Sequence, residues 1–210
     1  MMNDTEGNVM GIELEYKLRV ADEKTLAAIL VDPELAALRE GDWQEQRMKT
    51  TYYDSPDRRF SSELWTFRHR IEGDKSVVCV KTPTEDFHTR CEYQVERDGV
   101  DLDSIEALLL TGAPKKLVFL YGAGDVAPIC GAEFSRKSCM LRFADGSRAE
   151  LAGDCGVLHG ETERIEFTEL ELELYEGKPD KMLELVDTLK TRYSLREQPL
   201  SKFARAMKLK

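Results

Sequence analysis

The sequence predicts an α+β fold: a closed or nearly closed antiparallel β-barrel with helices on its outside. Three observations predict it. Stretches that alternate charged and apolar residues recur along the chain, and that alternation is the two-residue period of a strand. Gly73-Asp74 and Asp145-Gly146 join such stretches as tight hairpins, which makes the joined strands antiparallel. No linker or low-complexity segment divides the chain, so a single domain is expected over residues 1–210, with residues 1–9 of a composition that frays.

The elements follow in order. Gly11–Val20 alternates strictly and reads as a strand. Asp22–Glu40 carries Leu26, Ile29, Leu30, Leu35 and Leu38 at helical spacing, interrupted at Pro33. Gln44–Asp54 ends in Thr-Thr-Tyr-Tyr-Asp, a strand by composition, and Ser55-Pro56-Asp57 opens a turn. Trp65–Glu72, Lys75–Thr82 and His88–Arg97 read as three further strands, and Asp101–Leu110 as a helix with Asp103 or Ser104 near its start. Gly131–Ala144, Arg148–Leu151, Gly156–His159 and Arg164–Tyr175 read as strands. Pro179–Tyr193 has the amphipathic stripe Met182, Leu185, Val186, Leu189, and a Pro199-Leu-Ser-Lys segment leads into a short basic tail.

Composition narrows the function. With 30 Lys+Arg against 40 Asp+Glu, the net charge is −10, which disfavours a general nucleic-acid binder. No run approaches the ~18 apolar residues of a membrane-spanning helix, and Met1–Gly11 has no basic and apolar leader pattern, so no membrane partner is expected. The five cysteines are odd in number and form no CxxC pair. They read as thiols in a reducing, cytoplasmic compartment, not as a disulfide framework or zinc site.

The polar faces of the strands carry the chemistry. Glu13, Glu15 and Lys17 share a face with Arg19; Arg68 shares one with Arg70; Arg90, Glu92, Gln94 and Glu96 share another; so do Glu169, Glu171 and Glu173. A single alternating row is ordinarily a wet face. Several such rows together point to an interior lined with charge. Stacked carboxylates raise one another's pKa or bind a cation. Magnesium takes oxygen ligands and phosphate oxygens together, and guanidinium groups grip phosphate bidentately. Acidic and basic rows in one barrel would therefore make a metal–polyphosphate site. His69, His88 and His159 lack ligand-spaced partners, and Trp43 and Trp65 read as packing residues. Lys115–Tyr121 is apolar enough to be buried or to meet a partner.

In order along the chain, Glu13-Leu-Glu-Tyr-Lys17, Tyr52-Tyr-Asp54, Arg68-His-Arg70, Val80-Lys81-Thr82, Arg90-Cys-Glu92, Arg136-Lys137, Asp154, Glu169-Leu-Glu171 and Leu200-Ser-Lys202-Phe203 resemble the motifs of the CYTH domain, or triphosphate tunnel metalloenzyme, family. The resemblance runs over residues 10–208 and is to the bacterial branch that includes inorganic triphosphatases, without the helical CHAD domain some of those carry.

The resemblance implies an eight-stranded antiparallel tunnel that hydrolyses a small triphosphate with one or two Mg²⁺ or Mn²⁺ ions. It implies Glu13, Glu15, Asp154, Glu169 and Glu171 as metal ligands. It implies Lys17, Arg68, Arg70, Lys81, Arg136 and Lys202 as substrate-binding residues, with Lys202 and Glu92 in catalytic roles. Strand register leaves Arg136 and Lys137 as alternatives, and Arg142 has the parity to face inward. Thiamine triphosphate, nucleoside triphosphates and adenylate cyclase chemistry are alternatives on the same scaffold. Each would need a pocket for a base or ring at one tunnel mouth, for which Trp43, Tyr52 and Phe60 are candidates. A non-catalytic polyphosphate binder is a further alternative, and both a monomer and a homodimer fit the acidic surface.

Overall fold

The computed structural model describes residues 11–85, 89–122 and 124–209, with side chains from residue 14 onward. Its strands are β1 (Gly11–Arg19), β2 (Arg39–Asp54), β3 (Thr66–Glu72), β4 (Lys75–Pro83), β5 (Thr89–Glu96), β6 (Ala127–Arg142), β7 (Arg148–His159), β8 (Arg164–Glu176) and the two-residue β9 (Arg196–Glu197). They pair antiparallel in the order β5-β4-β3-β2-β6-β7-β8-β1, and β1 returns to β5, so eight strands close into a barrel. Closure leaves no open sheet edge. β9 adds to β1 at Leu18 and Arg19.

The helices are α1 (Glu23–Leu30), α2 (Pro33–Leu38), α3 (Arg59–Ser62), α4 (Leu102–Leu110), α5 (Lys116–Tyr121), α6 (Asp180–Tyr193) and α7 (Lys202–Ala206). Pro33 both ends the first helical run and opens the second. It sits in the first turn of α2, where its missing N–H costs nothing, and the Asp32 side chain accepts from Glu34 N. Asp101 caps α4 in a capping box with Ser104.

Alternation sends one row of each strand outward and one inward. The outward apolar rows are covered by helices. Leu18, Leu141, Leu151, Leu170 and Leu172 pack under α1, α2 and α6, including the stripe Met182, Leu185, Val186 and Leu189. Phe67, Val78, Val80 and Tyr93 pack under α3, α4 and α5, with Phe60 stacked on Phe67 at 4.9 Å. A third cluster lies inside the barrel at one end, where Met48, Tyr52, Phe134, Leu158 and Phe167 meet Ala206 and Phe203 of α7. The apolar surface buried under the helices is the main driving force for closure.

Both expected hairpins are present. Gly73 and Gly146 take φ of 58° and 86°, left-handed values that glycine adopts at little cost. Several boundaries differ from expectation. β2 starts at Arg39 rather than Gln44, because the chain leaves α2 at Leu38 directly into pairing with β6. Arg148–Leu151 and Gly156–His159 are parts of one strand, β7. Gly153 and Gly156 do not break it: a Cβ on Gly156 would lie 2.2 Å from Glu133 O, so the glycine permits close approach of β6. The basic tail contains a helix, α7, whose N-cap Ser201 accepts from Ala204 N. Lys115–Tyr121 is mostly α5: Leu117, Leu120 and Tyr121 are buried, Val118 and Phe119 exposed. No helix among the described residues is long and apolar enough to cross a membrane.

Candidate functional site

The inward row of every barrel strand lines one cavity of about 720 Å³. α7 and the Gln198–Ser201 segment before it line the cavity too, so the C-terminal region contributes wall as well as filling one end.

One wall is acidic. Arg136, Asp154 and Glu169 lie side by side on β6, β7 and β8, and Glu171 follows Glu169 on the same face. Asp154 is 0% exposed, Glu169 0% and Glu171 7%. One carboxylate oxygen from each lies within 4.8 Å of those of the other two. Arg136 grips Asp154 bidentately, Nε to Oδ1 at 2.8 Å and a terminal nitrogen to Oδ2 at 2.7 Å, and the same nitrogen donates to Glu171. From α7, Lys202 Nζ donates to Asp154 Oδ2 at 2.7 Å and Glu171 Oε1 at 2.8 Å and forms an ion pair with Glu169. Arg205 donates to the other Glu169 oxygen.

These contacts decide the protonation of the wall. Burial pushes the Glu171 carboxyl up, but Lys202, Arg136 and Lys17 outweigh it and hold it well below its ordinary value. Burial dominates at Glu169, which is raised despite Lys202. Burial would discharge Lys202, yet the three carboxylates around it raise its pKa instead.

The opposite wall is basic. Glu92 on β5 takes Arg68 on Oε1 at 2.9 Å and Lys81 on Oε2 at 2.9 Å. The Cys79 thiol donates to Glu92 Oε1 at 2.8 Å; burial, with the charge of Glu92 second, pushes that thiol up to about 12 and keeps it protonated. Arg70 donates to Thr50 Oγ1 and Glu72 Oε1, each at 3.1 Å. On β1, Lys17 pairs with Glu15. Glu173 sits across from Glu15 and Glu150 in register, and burial, opposed by Lys81 and reinforced by Glu15 and Glu92, raises its carboxyl to about 7.

A CYTH domain model matches residues 11–207. The chain belongs to the CYTH domain family. An inorganic triphosphatase of Haemophilus influenzae is 27% identical over 189 residues, which cover 87% of this CYTH chain and 50% of the relative. The chain thus spans about half the length of that curated relative. A solved structure from Hippeastrum, described as a putative adenylyl cyclase with a dominant triphosphatase activity, superposes with a TM-score of 0.59 at 17% identity, covering 92% of this chain and 94% of its own. A putative adenylate cyclase of Bacillus halodurans gives 0.56 at 16% identity, with coverages of 93% and 95%. A Pyrococcus horikoshii protein gives 0.55 at 19%, with coverages of 92% and 97%. At these identities the structures share the CYTH fold.

Within this CYTH barrel, the structure gathers Asp154, Glu169, Glu171, Arg136 and Lys202 on one wall and Arg68, Arg70, Lys81 and Glu92 on the other. Glu15 and Lys17 line the cavity and pair with each other; Lys17 stands across from Glu171 in register, and Glu15 is outside the three-carboxylate group. The Glu13 side chain and His88 lie outside the described residues; the Glu13 backbone pairs with Arg90.

The register decides for Arg136 as the inward residue: Lys137 points out, to Glu45 and over the Trp43 ring. Arg142 does not face the cavity. It stands at the end of β6, half exposed, and pairs with Glu40. Of Trp43, Tyr52 and Phe60, only Tyr52 lines the cavity, 5.0 Å from the Phe203 ring; Phe60 is in the outer core and Trp43 packs against the other. His69 faces outward, with Nε2 2.7 Å from Ser76 Oγ.

Sequence reasoning missed Glu150, Cys79 and Arg205. Glu150 and Asp154 share β7 parity, a signal hidden when the strand is read as two pieces. Arg205 lies three residues beyond Lys202, visible only once the tail is known to be helical.

The acidic wall fits a hard divalent cation. Its donors are all carboxylate oxygens, and Glu169 Oε1 is buried with no hydrogen bond of sound geometry, its neighbour being the Lys202 ammonium.

Proposed function

We propose that this chain is a metal-dependent triphosphatase that splits inorganic triphosphate into pyrophosphate and phosphate in the barrel lumen. The observation that carries the reading is one cavity with a buried carboxylate cluster on one side, reaching the cavity through Glu171, and guanidinium and ammonium groups on the other. A pure anion site gains nothing from three buried carboxylates, which repel the ligand unless a cation intervenes. Triphosphatase activity belongs to the Haemophilus relative and the Hippeastrum neighbour by description, and both support the reading.

Asp154, Glu169 and Glu171 would hold Mg²⁺ or Mn²⁺, with Glu13 and Glu15 on the adjoining strand as further oxygen donors. When bound, the metal would neutralise phosphate charge and lower the pKa of water. Arg68, Arg70, Lys81, Lys17 and Arg136 would grip the phosphate oxygens. Phosphoryl transfer needs this holding and neutralisation more than covalent help. Glu92 keeps Arg68 and Lys81 pointed inward, which preorganises the grip before substrate arrives.

Water attacks the terminal phosphorus, the bond to the bridging oxygen breaks and pyrophosphate leaves with the bonding pair; one hydrogen of the water stays on the new phosphate and the other is released as a proton. Lys202 would stabilise the charge that develops on the departing oxygen. Its three carboxylate contacts compete with a metal for the same oxygens, so metal entry would release the ammonium for that role.

Inorganic triphosphate is the proposed substrate because the lumen is lined chiefly by charged groups and because the Haemophilus relative is described as an inorganic triphosphatase; Tyr16, Tyr52, Trp65 and Phe203 are the aromatics that line the cavity. Five free thiols support a reducing, cytoplasmic setting. Phosphate release from triphosphate, ATP and thiamine triphosphate, each with Mg²⁺, Mn²⁺ or EDTA, tests the reading. Metal-dependent release from triphosphate above the other two is expected. Equal turnover in EDTA would overturn it.

A further inference from the structure

Arg205 belongs to no wall that the strands build. It reaches Glu169 from α7, behind the cavity surface, three residues after Lys202 and therefore on the same side of the helix. Its side chain is 13% exposed, and its guanidinium carbon lies 5.3 Å from the centre of the Phe167 ring, over its face. One terminal nitrogen donates to Glu169 Oε2.

Lys202 and Arg205 treat the cluster differently. Lys202 touches all three carboxylates. Arg205 bonds Glu169 alone, and its Nε is buried with no hydrogen-bond partner, so its orientation follows from the ring and from Glu169. Oε2 already accepts from Arg205, which leaves Oε1 as the Glu169 oxygen without a hydrogen bond. That oxygen accepts no hydrogen bond of sound geometry and faces the Lys202 ammonium among the other carboxylates.

We infer that Arg205 is a positioning residue for the metal site: by holding Glu169 Oε2 it fixes the carboxylate so that Oε1 alone is presented to a divalent cation beside Asp154 and Glu171. The inference rests on the proposed metal site and adds to it a partner supplied by the C-terminal helix. Partners behind ligating carboxylates commonly control metal affinity, and their loss typically weakens binding about 10–100-fold.

The test is Mn²⁺ binding to the full chain, measured by calorimetry without substrate. R205M should weaken Mn²⁺ binding by about 10–100-fold, with R205K between it and the parent. F203L loosens the packing of α7 on Tyr52 without touching Glu169 and should bind Mn²⁺ as the parent does. On an E169Q background, R205M should cause no further loss, because the two residues act as one unit.

Unchanged affinity in R205M overturns the inference. So does an equal loss in F203L, which would make Arg205 a mere docking contact, or an additive loss in the double variant. If R205M does not fold, R205K and the E169Q pair carry the same comparison. If the parent binds no Mn²⁺, the metal site itself fails and this inference falls with it; parent binding that D154N weakens and R205M leaves unchanged defeats only the role of Arg205.

Discussion

The two walls of the lumen are built by the same strand alternation and end in opposite states. On the β7–β8 side, Asp154, Glu169 and Glu171 are sealed from solvent and neutralised by Arg136, Lys202 and Arg205, two of which arrive from α7. On the β3–β5 side, Arg68 and Lys81 share Glu92, while Arg70 has Thr50 and Glu72, and the three cations keep 11–21% exposure. The acidic wall is thus closed by a separate piece of chain, and the basic wall is braced from within and left open to the cavity. Buried charge is tolerated only when paired, so closing the acidic wall requires a source of cations that its own strands do not supply in full. The difference matches the proposed roles, exchangeable cations at one wall and an anion grip at the other.

The largest expected effects separate the walls by kinetics. Glu171→Gln should lower kcat about 10³-fold and raise the metal concentration needed for half activity. Arg68→Ala should cost about 10²-fold, mostly as a higher KM for triphosphate, with the metal requirement unchanged. Metal titrations at several triphosphate concentrations read both, and the same signature for the two variants would erase the division.

Lys202→Met tests the sealing. It leaves three buried carboxylates short of a partner, which should cost about 3–5 kcal/mol in metal-free denaturant unfolding. Mn²⁺ should recover part of that loss, because a cation replaces the missing ammonium. A deficit unaffected by Mn²⁺ would mean that Lys202 and the metal do not share the site.

Glu92→Gln sharpens the view of the basic wall. The amide still accepts one hydrogen bond but no longer holds two cations by charge. A KM rise of about tenfold with kcat within a small factor is expected from a loss of preorganised binding. A large kcat loss with KM unchanged would place Glu92 in the chemistry instead.

The smallest effect concerns the seam between the walls. Burial raises the Glu173 carboxyl from 4.5 to about 7. The folded protein therefore holds a proton there that the unfolded chain has lost, and stability falls as pH rises from about 4.5 to 7. Glu173→Gln, followed by thermal unfolding in EDTA, should remove that slope and add at most about 3 kcal/mol above pH 7. An unchanged pH profile would mean that Glu173 is ionised in the native barrel at neutral pH.

Much of this was readable in advance where alternation is strict. Glu169-Leu-Glu171-Leu-Glu173 admits one parity, so its inward acids and outward leucines followed from the sequence. Hairpins at Gly73 and Gly146 fixed the antiparallel neighbours. Barrel closure was not a local signal: the β1–β5 pairing joins segments some 80 residues apart. Arg136 and Lys137 were indistinguishable until pairing with Asp154 set the register. Arg142 shares the parity of Arg136 but lies past the end of the lumen, since parity gives the face of a residue and not its depth. Arg205 was invisible because a five-residue helix has too few turns to show a period.

The central claim is that the carboxylate wall holds a divalent cation and the opposite wall holds the phosphates at the same time. Anomalous diffraction from crystals grown with Mn²⁺ and a non-hydrolysable triphosphate analogue tests it most directly. The account predicts a manganese peak among Asp154, Glu169 and Glu171, with phosphate oxygens against Arg68 and Lys81. An analogue bound in the lumen with no manganese at those carboxylates, or manganese with the phosphates away from the basic wall, would contradict it.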